Sequence, residues 1–249
     1  MSTTERFSDR VKYYIKSRPG YPQAILAVLE EHCGLTPDFE VADIGAGVGH
    51  SARLFTDYGC YVYGIEPNQA MFDQLIREMQ LVPNFSARLK TASNTDLDDS
   101  SIDLVIAGQA FHWFDHRAAK TEFRRIGKDN VCVVLMWNEW QEDTAFGKAY
   151  TELVKTYSVD YEQVSRTADT TQKAIDYLYD SYQQVSFEHS QQFDLDMLKA
   201  RYLSSSYSLL PTMDGHEAAM TALRELFEQY QTNGTIEFAY TCNVYYGRL

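Results

Sequence analysis

Three glycines at alternate positions follow a short apolar run in "VADIGAGVGHSARL", which covers residues 41–54. The apolar run predicts a strand and the residues after it predict a helix, so Gly45, Gly47 and Gly49 would lie at a strand-to-helix turn. Glycine permits positive φ and has no Cβ to hold a ligand away from the backbone. Backbone N–H groups at such a turn face outward, next to the partial positive charge of a helix N-terminus. The sequence therefore predicts a ligand-binding loop.

The spacing of charged residues around this loop indicates what kind of ligand it would bind. A dinucleotide loop reads G-x-G-x-x-G, but here the third glycine comes one residue sooner and His50 takes its place, which disfavours a pyrophosphate. Glu66 follows Gly45 by 21 residues, at the end of the next predicted strand, where a carboxylate can accept hydrogen bonds from both ribose hydroxyls. Asp43 suits a cationic group. We therefore expect a nucleoside ligand that carries positive charge.

Strands and helices alternate over the first 138 residues. The segments "FEVADIG", "HSARLFTDYG" and "CYVYGIE" form a predicted β-α-β unit, and "SIDLVIAG" and "NVCVVLMWN" are further buried strands. This alternation predicts a parallel sheet covered on both faces. After residue 138 we predict helices, then a strand in "QQVSFEHSQQF", further helices, and a final strand over 235–247 in which apolar and polar residues alternate.

Composition limits the classes of protein that this chain can be. The 249 residues are 45% hydrophobic, which is enough for one core or one core with a cap. A net charge of −13 disfavours nucleic acid as a partner. We find neither a long apolar run nor a secretory signal, so we expect a cytoplasmic protein without membrane attachment, as a monomer or homodimer. The four scattered cysteines are expected to be reduced, and no metal site is expected.

Five segments, in matching order and spacing, resemble the class I S-adenosylmethionine-dependent methyltransferases, specifically the small-molecule group called methyltransferase type 11. They are "RPGYP" (18–22), "VADIGAGVG" (41–49), "VYGIEPNQAMF" (62–72), "TASNTDLDDSSIDLV" (91–105) and "AFHWFD" (110–115). The resemblance implies a Rossmann-like α/β fold with a seven-stranded, mostly parallel sheet and an antiparallel last strand. It also implies S-adenosylmethionine as the cofactor and S-adenosylhomocysteine as the product. A nucleoside with an ammonium and a sulfonium agrees with the ligand predicted above.

The resemblance also implies roles for individual residues. The residues expected to bind the cofactor are Tyr14, Arg18, Asp43, Gly45, Ala46, Gly47, Gly49, Glu66, Pro67, Met71, Ser93, Asn94, Gln109 and Ala110, with Asn68 near the adenine. Arg18 would lie near the cofactor carboxylate, where a guanidinium fork is useful. His112 and Trp113 are expected to contact the acceptor. Trp137 and Asn138 are further candidates, because they end the fifth predicted strand, at the edge where ligands bind in open α/β sheets. His112 is the candidate general base, because its ordinary pKa suits neutral pH.

We interpret the chain as a single methyltransferase domain, residues 1–249, which moves a methyl group to a small organic acceptor. Its predicted parts are cap helices (1–36), a cofactor-binding core (37–138), a helical cover inserted after the fifth strand (139–184) and a completion of the sheet (185–249). Two alternatives stay open from the sequence. One is a nicotinamide-dependent oxidoreductase on a similar sheet, and the other is a non-catalytic protein that binds the nucleoside. A filled space beside Gln109 and His112 would favour the non-catalytic protein.

Overall fold

The computed structural model describes residues 9–159, 161 and 167–249. Its helices are α1 Val11–Ser17, α2 Ala24–Cys33, α3 His50–Tyr58, α4 Gln69–Met79, α5 His116–Ile126, α6 Ala145–Thr156, α7 Thr167–Leu178, α8 Leu195–Leu203 and α9 His216–Tyr230. Its strands are β1 Glu40–Ile44, β2 Tyr61–Ile65, β3 Phe85–Arg88, β4 Ile102–Gly108, β5 Gly127–Trp140, β6 Gln183–Phe193 and β7 Ile236–Arg248. A 3₁₀ turn covers Phe111–Trp113.

The strands of the described chain form one seven-stranded sheet in the order β3-β2-β1-β4-β5-β7-β6. The first five pair in parallel, and β7 is antiparallel to both of its neighbours, β5 and β6. The predicted fold class is therefore confirmed, including the antiparallel last strand. Strand β3 has four half-buried residues and no apolar alternation, and the pattern had not identified it.

Helices cover both faces of the sheet, as the alternation of strands and helices predicts. Side chains from α2, α3 and α4 pack on one face, against residues such as Val41 and Val62. Helices α5 and α7 pack on the other face, against Ala42 and Val133. Successive residues of one strand point to opposite faces, which is why Val41 and Ala42 belong to different clusters.

A third cluster lies beyond the carboxyl ends of the parallel strands. Trp140 at the end of β5 pairs with Tyr240, and the antiparallel pair of β6 and β7 continues past this point to Phe193 and Ile236. Helices α6, α8 and α9 pack around this extension through an apolar cluster that includes Phe238. Contacts of α1 with α8 complete a cap over this edge of the sheet.

The cap differs from the predicted helical cover of residues 139–184. Of that segment, α6 joins the cap, whereas α7 packs against α5 and the face of the sheet. Helices α8 and α9 belong to the cap, although they follow in the segment expected to complete the sheet. The predicted division of the chain into parts stays a prediction.

The expectation that all four cysteines are reduced is wrong for two of them. Cys33 at the end of α2 and Cys132 in β5 form a disulfide, although they are 99 positions apart in the sequence. Their spacing in the sequence gave no sign of this pairing, because it depends on α2 packing against the sheet. Cys60 and Cys242 are free and buried, as expected.

No helix within the described ranges is long and apolar enough to span a bilayer.

Candidate functional site

The glycine loop joins β1 to α3 at the carboxyl edge of the sheet. All three glycines have positive φ: +74° at Gly45, +57° at Gly47 and +96° at Gly49. An added Cβ at Gly45 would lie 2.6 Å from the Cβ of Ala110, so this position admits no side chain. At Gly47 an added Cβ would meet no heavy atom within 4 Å, because that side of the loop faces open space. At Gly49 an added Cβ would lie 3.0 Å from a methyl carbon of Leu75 in α4. The last glycine therefore serves packing, and the first two shape the site.

Glu66 follows β2 and holds the loop from its neighbouring strand. Its Oε2 accepts a hydrogen bond from the Gly47 backbone N–H at 2.9 Å, and its Oε1 accepts one from the Asn68 N–H at 2.8 Å. Asn68 in turn caps α4 by accepting a hydrogen bond from the Met71 N–H at 3.0 Å. Burial raises the pKa of Glu66, and the two backbone hydrogen bonds oppose this rise. Both carboxylate oxygens keep lone pairs for a ligand hydroxyl.

A cavity of about 250 Å³ opens between this loop and Glu66. Its lining includes these predicted cofactor-binding residues: Tyr14, Gly45, Gly47, Glu66, Pro67, Met71, Ser93, Gln109 and Ala110. We call it the nucleoside cavity. Asn68, Thr91, Ala92, Gly108, Trp113, Phe114 and Asp115 complete the lining. Of the completing residues, Thr91, Ala92, Gly108 and Asp115 have no site role predicted from the sequence, although all but Gly108 lie in the segments that carry the resemblance.

A second, smaller cavity of about 30 Å³ lies on the other side of the glycines. Tyr14, Arg18, Ala46, His50 and Ser51 are among its lining residues, and we call it the amino-acid cavity. The Arg18 guanidinium lies over the Tyr14 ring at 5.0 Å, and its Nε donates to the Ser204 hydroxyl at 3.0 Å. Tyr14 and His50 stack with ring centroids 6.1 Å apart.

Asp43 lies beneath the loop and outside the lining of the cavities. It is fully buried, and its Oδ2 accepts a hydrogen bond from the Ser51 hydroxyl at 2.6 Å. Burial raises the pKa of Asp43 to about 7, against the hydrogen bonds from Ser51 and the Ala52 backbone. Through Ser51 it fixes the first turn of α3 relative to β1. Asn94 is exposed and also lies outside the cavity lining, whereas the neighbouring Ser93 lies within it.

A third cavity, of about 830 Å³, lies next to these two, and we call it the acceptor chamber. The four residues predicted to contact the acceptor, His112, Trp113, Trp137 and Asn138, all line it. Tyr207 and Arg201 line it too, and no motif in the sequence surrounds Arg201.

Gln109 and Tyr14 line all three cavities. Gln109 has φ of +55°, a conformation that costs a residue other than glycine about 1 kcal/mol or more. Two contacts hold it there: its N–H donates to the Met136 carbonyl at 2.8 Å, and its side-chain Nε2 donates to the Asn138 carbonyl at 2.7 Å. Strain at this junction is compatible with a functional role.

His112 has contacts that bear on its predicted role as a base. Its Nδ1 lies 3.4 Å from the indole nitrogen of Trp137, which can only donate, so Nδ1 accepts and the proton of the neutral ring lies on Nε2. Burial, and then the nearby His116, lower the pKa of His112 to about 4. The ring is therefore neutral at pH 7 and presents an N–H donor on its other edge.

Part of this chain is similar to known methyltransferases. Residues 42–135 match the family model described as a methyltransferase domain. An uncharacterized methyltransferase of Schizosaccharomyces pombe is 30% identical over 133 residues, which are 53% of this chain and 52% of that protein. A Dictyostelium discoideum protein named as a methyltransferase is 30% identical over 131 residues, 53% of this chain and 48% of its own. The chain thus spans about half the length of the curated relatives that it matches.

The fold is also similar to that of a solved methyltransferase structure. A protein of Anaeromyxobacter dehalogenans, described as a type II methyltransferase, superposes with a TM-score of 0.66 at 19% identity. The match covers 93% of this chain and 97% of that one. Together with the glycine loop, Glu66 and the sheet order, these matches confirm the resemblance read from the sequence. Residues 42–135 are therefore similar to a methyltransferase domain, and the fold is that of a solved methyltransferase structure.

Proposed function

We propose that the protein transfers a methyl group from S-adenosylmethionine to a small organic acceptor and releases S-adenosylhomocysteine. The observation that carries this proposal is the meeting of three cavities at Gln109 and Tyr14. Two of them adjoin the glycine loop, and we assign the nucleoside to the first and the amino-acid part of the cofactor to the second. The third gives a second molecule access to the same point.

The residues present fit the cofactor. Glu66 would accept hydrogen bonds from the ribose hydroxyls while it keeps its contacts with Gly47 and Asn68. Met71 and Pro67 give the adenine an apolar surface, and Ser93 lies at the edge of the same cavity. Arg18 lines the amino-acid cavity, where its guanidinium would pair with the cofactor carboxylate. Asp43 would act indirectly, by holding α3 and the loop, since it does not line the cavity.

S-adenosylmethionine would supply an electrophilic methyl group for in-line displacement, a reaction whose rate depends mainly on positioning and on exclusion of water. Gln109 and Ala110 would border the methyl group, and Gln109 is held in place by Met136 and Asn138. We propose that His112 orients the acceptor by donating from Nε2. A ring whose Nδ1 is already an acceptor for Trp137, and whose pKa is about 4, is a poor general base at neutral pH.

The two alternatives from the sequence receive less support. A nicotinamide-dependent oxidoreductase would need space for a pyrophosphate where His50 begins α3 and stacks on Tyr14. A non-catalytic binding protein would need no second chamber, yet about 830 Å³ is open beside Gln109 and His112. The cytoplasmic location and the monomeric or dimeric state expected from the sequence stay predictions.

Calorimetry with S-adenosylhomocysteine and NADH tests the cofactor. We expect binding of the first and not of the second. A metabolite extract incubated with the protein and methyl-labelled S-adenosylmethionine then tests transfer, with labelled small molecules as the expected product. Absence of binding to both S-adenosylmethionine and S-adenosylhomocysteine would refute the proposal.

A further inference from the structure

The acceptor chamber contains a buried cation. Arg201 of α8 lines the chamber and is only 2% exposed. Its guanidinium lies over the ring of Trp140 at 5.4 Å and over that of Phe238 at 5.5 Å. Burial lowers the pKa of Arg201, whereas the hydroxyl groups of Tyr240, Tyr150 and Tyr207, including a hydrogen bond with Tyr240, raise it by more. The side chain is therefore charged at neutral pH.

This buried charge lacks a counter-ion among the described residues. The Nη1 of Arg201 donates to the Ser205 hydroxyl at 3.1 Å, whereas its Nε has no hydrogen-bond partner in the described part of the chain. Across the same residues, no carboxylate lies within 4.0 Å of the guanidinium. Leaving a buried charge unpaired is costly, so the arrangement implies an anion supplied from outside the chain.

A second arginine, Arg18, adds positive charge to the acceptor chamber. Arg18 lines both the amino-acid cavity and the chamber, and its described side-chain hydrogen bonds go to Ser204. Burial, and then the charge of Arg201, lower the pKa of Arg18. The proposed function gives Arg18 the cofactor carboxylate as its partner. Arg201 lines only the chamber, so its partner would belong to the acceptor.

The other lining residues of the chamber indicate the shape and charge of the rest of the acceptor. All three tryptophans of the chain, Trp113, Trp137 and Trp140, line the chamber, and flat rings favour a flat apolar body between them. The acidic side chains of the lining, such as Glu142 and Glu188, are exposed at its outer part. These exposed carboxylates repel an acceptor with several acid groups more strongly than an acceptor with one.

We propose that the methyl acceptor is a small organic acid with a flat apolar body and that its carboxylate pairs with Arg201. This inference depends on the proposed function, because Arg18 is assigned there to the cofactor. A guanidinium offers the fork of donors that a carboxylate accepts in a bidentate manner.

Tryptophan fluorescence gives a direct test, since every tryptophan of the chain lines the chamber. The protein saturated with S-adenosylhomocysteine is titrated with para-nitrobenzoate and with its neutral isostere para-nitrobenzamide, and then with hexanoate and hexanamide. We expect each acid to bind about tenfold or more tightly than its amide, as for one hydrogen-bonded charge pair. The preference should disappear in Arg201→Met and persist in weakened form in Arg201→Lys. It should be unchanged in Arg224→Met, because Arg224 is exposed on α9.

Calorimetry with S-adenosylhomocysteine separates the two proposals. If the unmodified protein does not bind it, the proposed function fails. If it binds but the acids bind no better than the amides, or Arg201→Met keeps the preference, the acid acceptor is refuted while the cofactor site stands. Should Arg201→Met not fold, the acid and amide comparison in the unmodified protein and in Arg201→Lys decides the matter.

Discussion

Replacement of Glu66 by glutamine tests the core of the cofactor site. The carboxylate is 7% exposed, and each of its oxygens accepts one backbone hydrogen bond, from Gly47 at 2.9 Å and from Asn68 at 2.8 Å. A glutamine of the same shape has only one accepting oxygen. Glu66→Gln therefore loses one loop contact, one ribose acceptor and the charge.

The expected loss of affinity follows from the hydrogen bonds. One hydrogen bond to a charged group contributes about 1.5–3 kcal/mol, which corresponds to a Kd for S-adenosylhomocysteine about 10- to 150-fold weaker. Calorimetry at one temperature measures the Kd, and thermal denaturation without ligand measures what the loop contact adds to stability. The matched control is Glu122→Gln. Glu122 is also 7% exposed and its Oε1 accepts from the Thr95 N–H at 2.8 Å, but it does not line the cavities.

The two variants together decide the interpretation. We expect Glu122→Gln to lower the melting temperature and leave the Kd for S-adenosylhomocysteine unchanged. An unchanged Kd in Glu66→Gln would place the ribose elsewhere. Equal weakening in both variants would mean that the effect is general destabilisation, and the reasoning from the ribose hydroxyls would be refuted.

Three further predictions concern the loop, the residue beneath it and the proposed donor. Gly45→Ala should abolish cofactor binding, because its Cβ would collide with that of Ala110. The control is Gly34→Ala, which has the same φ of +74° but nothing within 4 Å of an added Cβ, and it should cost only about 1–2 kcal/mol of stability. Equal affinity of the two variants for S-adenosylhomocysteine would contradict this reasoning. The folded-state pKa of Asp43 is about 7, above its ordinary 3.8, so folding retains a proton that the unfolded chain releases and stability falls as pH rises between these values. The free energy of unfolding, measured with urea at low and at neutral pH, should therefore change less with pH in Asp43→Asn than in the unmodified protein. An identical change in both proteins would refute the raised pKa of Asp43. The ring signals of His112 in NMR, assigned through His112→Gln, should stay those of the neutral form from pH 8 down to about pH 5, since burial lowers its pKa to about 4; titration near 6.5 would restore it as a candidate base.

The predictions that succeeded depend on short stretches of chain. Gly45 and Gly47 required positive φ, and a carboxylate one residue after the next strand, Glu66, had to meet them because parallel neighbours end at the same edge. Alternation over β7 identified a strand with two distinct faces. Each of these features is fixed by local backbone geometry and side-chain period, which the sequence displays directly.

Tertiary packing decided what the sequence could not. Arg18 and Arg201 are 183 positions apart and meet only because α1 packs on α8. The same holds for Cys33 with Cys132, for the burial of Asp43 away from the cavity, and for α7, which covers the sheet face. An isolated arginine or cysteine carries no periodic signal, and its partner depends on how distant elements pack. The sequence by itself determined the cofactor loop and its sheet, whereas the charge and walls of the acceptor chamber come from helices joined only in the folded chain.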